Sequence, residues 1–195
     1  MNTPNKLSLL RIILIPVFMF FYMATFIPYG KLIATVILIL AEFTDFLDGY
    51  IARKYNLVTD LGKLLDPVAD KSFSLAALLL ISMDFIVPAP FGVIVLVIYL
   101  LRDFIVSALR QIAASKNSLI AADIFGKIKS FVLDISLPIL FVVAFLKLDL
   151  GLANALGTTI LYWIGLILLY ASTLLSIYSG INYVVKNKEV LKDKK

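Results

Sequence analysis

Long apolar runs alternate along this chain with short polar breaks, and at about 20 residues per bilayer crossing the runs predict six membrane helices. They cover about Leu7 to Ile27, Leu32 to Arg53, Gly62 to Met83, Phe91 to Ala113, Gly126 to Leu146 and Leu156 to Val185. Several reach that length only by carrying charged residues with them. The breaks hold turn residues: Pro28, Tyr29 and Gly30; Lys54 to Leu61; Asp84 to Pro90 with two prolines; Ala114 to Phe125; and Lys147 to Ala155 with Gly151. None exceeds about a dozen residues, so a single transmembrane domain over 1–195 is expected. Pro16 and Pro138 fall inside the first and fifth runs, where lipid-embedded helices tolerate and kink at proline.

Composition agrees with this reading. With 62% hydrophobic and 16% charged residues and a mean hydropathy of +1.01, the chain has more apolar surface than one soluble domain of 195 residues could hide. The fold class expected is all-α integral membrane. The absence of cysteine and histidine removes disulfides, thiolate nucleophiles, imidazole bases and the usual zinc sites. Chemistry must come from carboxylates, Lys, Arg, hydroxyls or oxygen-bound metals. Residues Met1 to Lys6 lack the basic, apolar and small-residue segments of a secretory signal.

Charge sets the orientation. With the N-terminus inside, Lys31 and Lys147 alone among the 18 Lys and Arg fall at outer ends, and positive loops stay cytoplasmic. Both termini are therefore expected in the cytoplasm. The basic tail, Lys186, Lys188, Lys192, Lys194 and Lys195, reads as a solvated anchor near anionic lipid. Nothing in the pattern points to nucleic acid.

Four aspartates break the apolar pattern at that same cytoplasmic end: Asp45, Asp48, Asp66 and Asp70. Each costs about 2.5–3.5 kcal/mol to place in a membrane, so four together need compensation. On one helix Asp45, Asp48, Gly49, Ala52 and Arg53 point broadly the same way, and Asp66 and Asp70 repeat the arrangement at i, i+4 on the next, with Gly62 one turn earlier. The small residues let a ligand or neighbouring helix approach, and Arg53 supplies a planar cation suited to phosphate. The short connection makes the two helices antiparallel neighbours, bringing the carboxylate pairs face to face. Hard divalent cations fit such a site, Mg²⁺ or Mn²⁺ where phosphate is also bound, and a two-metal clamp on a diphosphate is one route to displacement at phosphorus. Pairing of these acids with Arg53, Lys54, Lys63 and Lys71 is the purely structural alternative.

The spacing D-x2-D-G-x2-A-R-x8-G-x3-D-x3-D, complete at Asp45, Asp48, Gly49, Ala52, Arg53, Gly62, Asp66 and Asp70, resembles the signature of the CDP-alcohol phosphatidyltransferase family. The resemblance implies a six-helix membrane enzyme, expected as a homodimer, that exchanges CMP on a CDP-linked lipid or alcohol for another alcohol. It implies two divalent metals held by Asp45, Asp48, Asp66 and Asp70, with Asp70 also the general base, and a CDP pocket lined by Gly49, Ala52 and Arg53. Gly62 and Asn5 join that pocket as candidates; Asn5 could instead cap the first helix.

Further segments, 2–7, 65–71, 102–110 and 126–130, are similar to the bacterial phosphatidylglycerophosphate synthases of that family, differing at Asp103 and Ser130 where glutamate and threonine are expected. The implied donor is CDP-diacylglycerol and the implied acceptor sn-glycerol 3-phosphate. Arg102 and Arg110 share a helix face, and Lys127 and Lys129 open the fifth helix; an acceptor bearing a phosphate monoester needs such a cluster. The bland alternatives pair Arg102 with Asp103 or Asp134 and leave the lysines as interface markers; Asp134 reads most simply as the partner of Lys127. A family member accepting inositol phosphate is the nearest rival. A divalent-cation transporter is the rival of another class, disfavoured because the outer halves, such as Leu32 to Leu40 and Leu75 to Ile81, are nearly all apolar. A non-catalytic scaffold would leave the acids uncompensated.

Overall fold

Each apolar run becomes a helix. The computed structural model describes residues 3–54, 59–116 and 123–188, excepting the side chains of 3, 4, 46, 48–54, 60, 61, 63, 64 and 66. The helices are α1 (Thr3–Met23), α2 (Gly30–Lys54), α3 (Asp60–Met83), α4 (Phe91–Ser115), α5 (Ile124–Ala144) and α6 (Leu156–Lys186), and there is no strand among the described residues. Four of them, α1, α4, α5 and α6, are long and apolar enough to cross a membrane. The other two, of 25 and 24 residues, are long enough but carry the acidic motif, which lowers their hydropathy. The molecule is a multi-pass membrane protein.

α1 packs on α2 and α3, α5 packs on α6, α2 and α3, and α4 closes the bundle against α3 and α6. The centre is an aromatic and aliphatic seam, with Phe18 of α1 lying 4.9 Å from the ring of Phe73 on α3 and 5.3 Å from that of Phe141 on α5. Leu38, Leu80, Ile81, Leu137, Leu140 and Leu169 fill the space around it. Large apolar side chains also cover the outside, among them Ile13, Phe20, Phe43, Phe104, Phe131, Leu174 and Ile181, as hydrocarbon solvent permits and water does not. α5 and α6 approach closely at Gly165, where an added Cβ would meet Leu140 Cδ2 at 2.7 Å, and Ser136 Oγ donates to the Gly165 carbonyl at 2.9 Å. Small residues that admit close backbone approach are the usual means of joining membrane helices.

The helices begin two to four residues before the predicted starts where the chain offers an earlier turn, as at Thr3, Gly30 and Asp60. Thr59 caps α3, its hydroxyl accepting the Gly62 N–H at 3.1 Å. At the other end of the bundle α5 does not simply stop. It loosens into a π-turn over Phe145–Asp149, with the Leu150 N–H reaching the Phe145 carbonyl at 3.2 Å. The turn delivers Asp149 to the start of α2, where it accepts the Lys31 backbone N–H at 3.1 Å and lies 3.6 Å from Lys31 Nζ. Asp84, just past α3, lies 3.9 Å from the same ammonium. This end of the bundle is thus stapled around one lysine.

Candidate functional site

Four helices bring acidic side chains and one arginine to a cavity of about 40 Å³ at the end of the bundle opposite Lys31. α2 contributes Glu42 and Asp45, one turn apart on one face; α3 contributes Asp70; α5 contributes Asp134; and α1 contributes Arg11. Arg11 is 2% exposed and its guanidinium is paired with the Asp45 carboxylate. Leu38, Ala41 and Phe73 also line it and belong to the apolar core.

Asp45 and Asp70, expected to face each other, do line one cavity. Asp48, Gly49, Ala52 and Arg53 on α2 and Asp66 on α3 were also expected there; their side chains lie outside the described residues. Among the described residues no three acidic side chains converge closely enough to hold one ion. The lining of carboxylate oxygens is nevertheless the donor set that suits a hard divalent cation. Lys71, one of the cations in the purely structural alternative, donates through its ammonium to Ser107 Oγ at 3.3 Å.

Asn5 is not a helix cap. It sits inside the first turn of α1, 4% exposed, donating through Nδ2 to Thr59 Oγ1 at 2.9 Å, with Oδ1 accepting from the same hydroxyl at 3.1 Å. The space that Gly62 leaves is taken by this strut, since a Cβ there would meet Asn5 Oδ1 at 2.8 Å. The pair of contacts ties α1 to the start of α3, the helix that carries Asp66 and Asp70.

Beside the acidic pocket lies a larger cavity of about 560 Å³, lined by Arg102, Arg110, Lys127, Asp123, Ser130 and Tyr183 together with Asp45 and Asp134. Three of the four expected acceptor cations meet here. Arg110 Nε donates to Tyr183 Oη at 3.1 Å, and Arg102 donates through Nη2 to Ser179 Oγ at 2.9 Å and through Nη1 to Asp103 Oδ1 at 3.0 Å. Lys129 is set apart. Its ammonium lies 3.3 Å from Asp103 Oδ1 and 4.6 Å from the Tyr99 ring centre, on a third small cavity with Asp70, Lys71, Ser74 and Asp134. Asp103, though shorter than glutamate, therefore bridges Arg102 and Lys129, the first of these as the sequence alternative held.

Asp134 corrects a sequence expectation. It forms no ion pair with Lys127; it faces the acids of α2 and α3 and borders all three polar cavities. One turn of α5 is too coarse to tell which of two neighbouring faces meets α2, and the fold turns Asp134 inward. Sequence reasoning also missed Arg11, Glu42 and the hydroxyls of α6. Arg11 carried a usable signal, an ionisable residue alone in an apolar run, and Glu42 lies three residues before Asp45 on the same stripe. Ser172, Ser176, Ser179 and Tyr183 fall on one face of α6 at spacings of four, three and four. The first, Ser172, donates to the Lys129 carbonyl at 2.6 Å and meets Tyr99 Oη.

Comparison with known proteins places this geometry. A CDP-diacylglycerol–glycerol-3-phosphate 3-phosphatidyltransferase of Bacillus subtilis is 34% identical over 98% of this chain and 97% of its own length. A protein of the same name from Rickettsia bellii is 34% identical over 93% of each chain, and one from Haemophilus influenzae is 40% identical over 66% of this chain and 69% of its own. The family model described as CDP-alcohol phosphatidyltransferase matches residues 1–179. An acid-lined pocket sharing a wall with a cation-lined cavity is what an enzyme moving a diphosphate-linked group requires, and the chain belongs to the CDP-alcohol phosphatidyltransferase family.

Proposed function

We propose that the chain transfers the phosphatidyl group of CDP-diacylglycerol to sn-glycerol 3-phosphate, giving phosphatidylglycerophosphate and CMP. The observation that carries this reading is the shared wall: Asp45 and Asp134 border both the carboxylate pocket and the cavity of Arg102, Arg110 and Lys127. The names of the relatives, similar over nearly the whole chain, support the same acceptor. An acceptor held by a phosphate monoester on the cationic side presents its hydroxyl toward the carboxylates.

Asp45, Asp48, Asp66 and Asp70 would hold two divalent cations, Mg²⁺ or Mn²⁺, whose chemistry when bound would be to polarise the diphosphate and offset charge on the leaving CMP. Asp70 takes the proton of the acceptor hydroxyl as its oxygen bonds to the phosphatidyl phosphorus and the bond to CMP breaks. Gly49, Ala52, Arg53, Gly62 and Asn5 form the CDP side, the last two by holding α1 against α3. Arg102, Arg110 and Lys127 bind the acceptor phosphate, where guanidinium forks match phosphate oxygens. Lys129 acts from the adjoining cavity, neutralising Asp103 beside Asp70.

All six helices span the bilayer as one domain, with both termini and the site on the cytoplasmic face of the inner membrane. α2 and α3 reach about 36 Å at 1.5 Å per residue, enough for a hydrocarbon core of about 30 Å. The bias of Lys and Arg toward the site end supports the orientation. A homodimer is expected from the family. The test is purified enzyme with CDP-diacylglycerol and either labelled sn-glycerol 3-phosphate or inositol phosphate. CMP release with the first is expected; release with only the second would reassign the acceptor.

A further inference from the structure

Arg102 reaches the large cavity through a slot built by residues of two other helices. Its Cγ passes Gly180 of α6 so closely that a Cβ there would stand 3.2 Å away, and its Nη2 ends against Gly126 of α5, where a Cβ would stand at 2.6 Å. At the end of the slot waits Ser179, 0% exposed. Ser179 Oγ accepts from Arg102 Nη2 at 2.9 Å and donates to Asp123 Oδ2 at 3.1 Å. Asp123 stands at the N-cap position of α5 but makes no capping bond with its side chain.

A serine hydroxyl has one proton. Spent on Asp123, that proton points away from the guanidinium and leaves only lone pairs for Arg102. The carboxylate thereby fixes the polarity of Ser179, and Ser179 fixes the direction of the guanidinium. We infer that Asp123 and Ser179 are positioning residues, a strut from the start of α5 through α6 that aims Arg102 at the acceptor phosphate, with Gly126 and Gly180 keeping its slot open. This rests on the proposed role of Arg102 in acceptor binding.

The strut and simple electrostatics make opposite predictions at Asp123. Asp123 borders the cationic cavity, so removing its charge would by field alone strengthen the hold on a phosphate. If it works through Ser179, the Asp123→Asn variant weakens that hold, because a neutral amide binds the serine proton less firmly than a carboxylate and lets it turn toward the guanidinium.

The experiment is steady-state kinetics of the full chain in detergent with varied sn-glycerol 3-phosphate and varied CDP-diacylglycerol. It compares Ser179→Ala, Asp123→Asn, Gly126→Ala, Arg102→Ala and the double variant Ser179→Ala with Arg102→Ala. Ser179→Ala is expected to raise the acceptor KM about tenfold, the scale of one lost hydrogen bond to a charged group, while kcat and the CDP-diacylglycerol KM stay within about threefold. Asp123→Asn and Gly126→Ala shift the acceptor KM in the same direction. On the Arg102→Ala background Ser179→Ala adds nothing further, since its effect passes through the missing side chain. An unchanged acceptor KM in Ser179→Ala, a lower one in Asp123→Asn, or additive losses in the double variant would overturn the strut while leaving the role of Arg102 standing. An unchanged acceptor KM in Arg102→Ala would overturn both.

Discussion

Replacing Arg11 by methionine tests what holds the carboxylate pocket together. Arg11 is 2% exposed, whereas the Asp45 carboxylate it pairs with is 43% exposed toward the cavity. Breaking a fully buried pair by removing one partner costs about 3–5 kcal/mol. Here the carboxylate left behind can still be reached by water, and methionine fills the vacated space with an unbranched apolar chain, so the expected cost is about 2 kcal/mol. For a chain of this size that lowers the melting temperature by about 4–8 °C in detergent with chelator present. On the proposed function a divalent cation would supply the same positive charge to the same carboxylates, and at a hundredfold excess over its dissociation constant would stabilise by about 2.7 kcal/mol. In Arg11→Met it no longer competes with a guanidinium for Asp45. Thermal unfolding of wild type and variant, each with EDTA and with Mn²⁺ or Mg²⁺, should therefore show a gap that narrows with metal and a variant half-stabilised at lower metal concentration. A gap of equal width in both conditions would refute the idea that Arg11 and a cation share Asp45.

Asp70→Asn removes the proposed base while keeping the shape of the side chain; kcat should fall by about 10²–10⁴, the usual range for general-base loss, with the melting temperature little changed. At the other end of the bundle Lys31→Met leaves Asp149 and Asp84 without their cation, and unfolding should come several degrees earlier while initial rates at room temperature match wild type, since no part of the staple borders the site. Gly165→Val forces β-branched bulk into the α5–α6 contact, where Leu140 already stands at 2.7 Å from an added Cβ. Overpacking of this kind costs about 1–3 kcal/mol, read as a lowered melting temperature, and the strain should reach Ser172 and Ser179 on the same helix as a raised acceptor KM.

The helices and the pairing of Asp45 with Asp70 were legible because each depends on local pattern. An apolar run of bilayer length has few alternatives to a helix, and two acidic stripes joined by a short connection can only fold back on one another. What escaped depends on contacts distant in sequence. Asp149 falls in a loop of the sequence pattern, yet it ends the π-turn of α5 and closes a staple with Lys31 from 118 residues away. A spacing of seven residues pairs Asp134 with Lys127 on the sequence alone, and only the packing of α5 on α2 and α3 turns it toward the acids. The serines of α6 look neutral in an apolar span, because a hydroxyl can satisfy itself on its own helix, as Thr173 does with the Leu169 carbonyl at 2.8 Å. Their role emerges only from what stands opposite them.

The division of charge between the two cavities has a physical logic. A donor diphosphate and an acceptor phosphate are both anions, and bringing them together demands cations on both sides of the reacting centre. If those cations were all side chains of one pocket, either anion could occupy the other's place. The chain instead lines one side with carboxylates, which on the proposed function would admit a diphosphate only with metal, and the other with guanidinium and ammonium groups, which need none. Asp45 and Asp134 on the shared wall add a negative screen between them. On the proposed function an acceptor would bind by its phosphate on the cationic side, and its neutral hydroxyl would be the part that crosses toward Asp70. On that reading, specificity for a phosphorylated alcohol and exclusion of a bare phosphate from the acidic side follow from one arrangement, with acids on α2, α3 and α5 and bases on α4 and the start of α5.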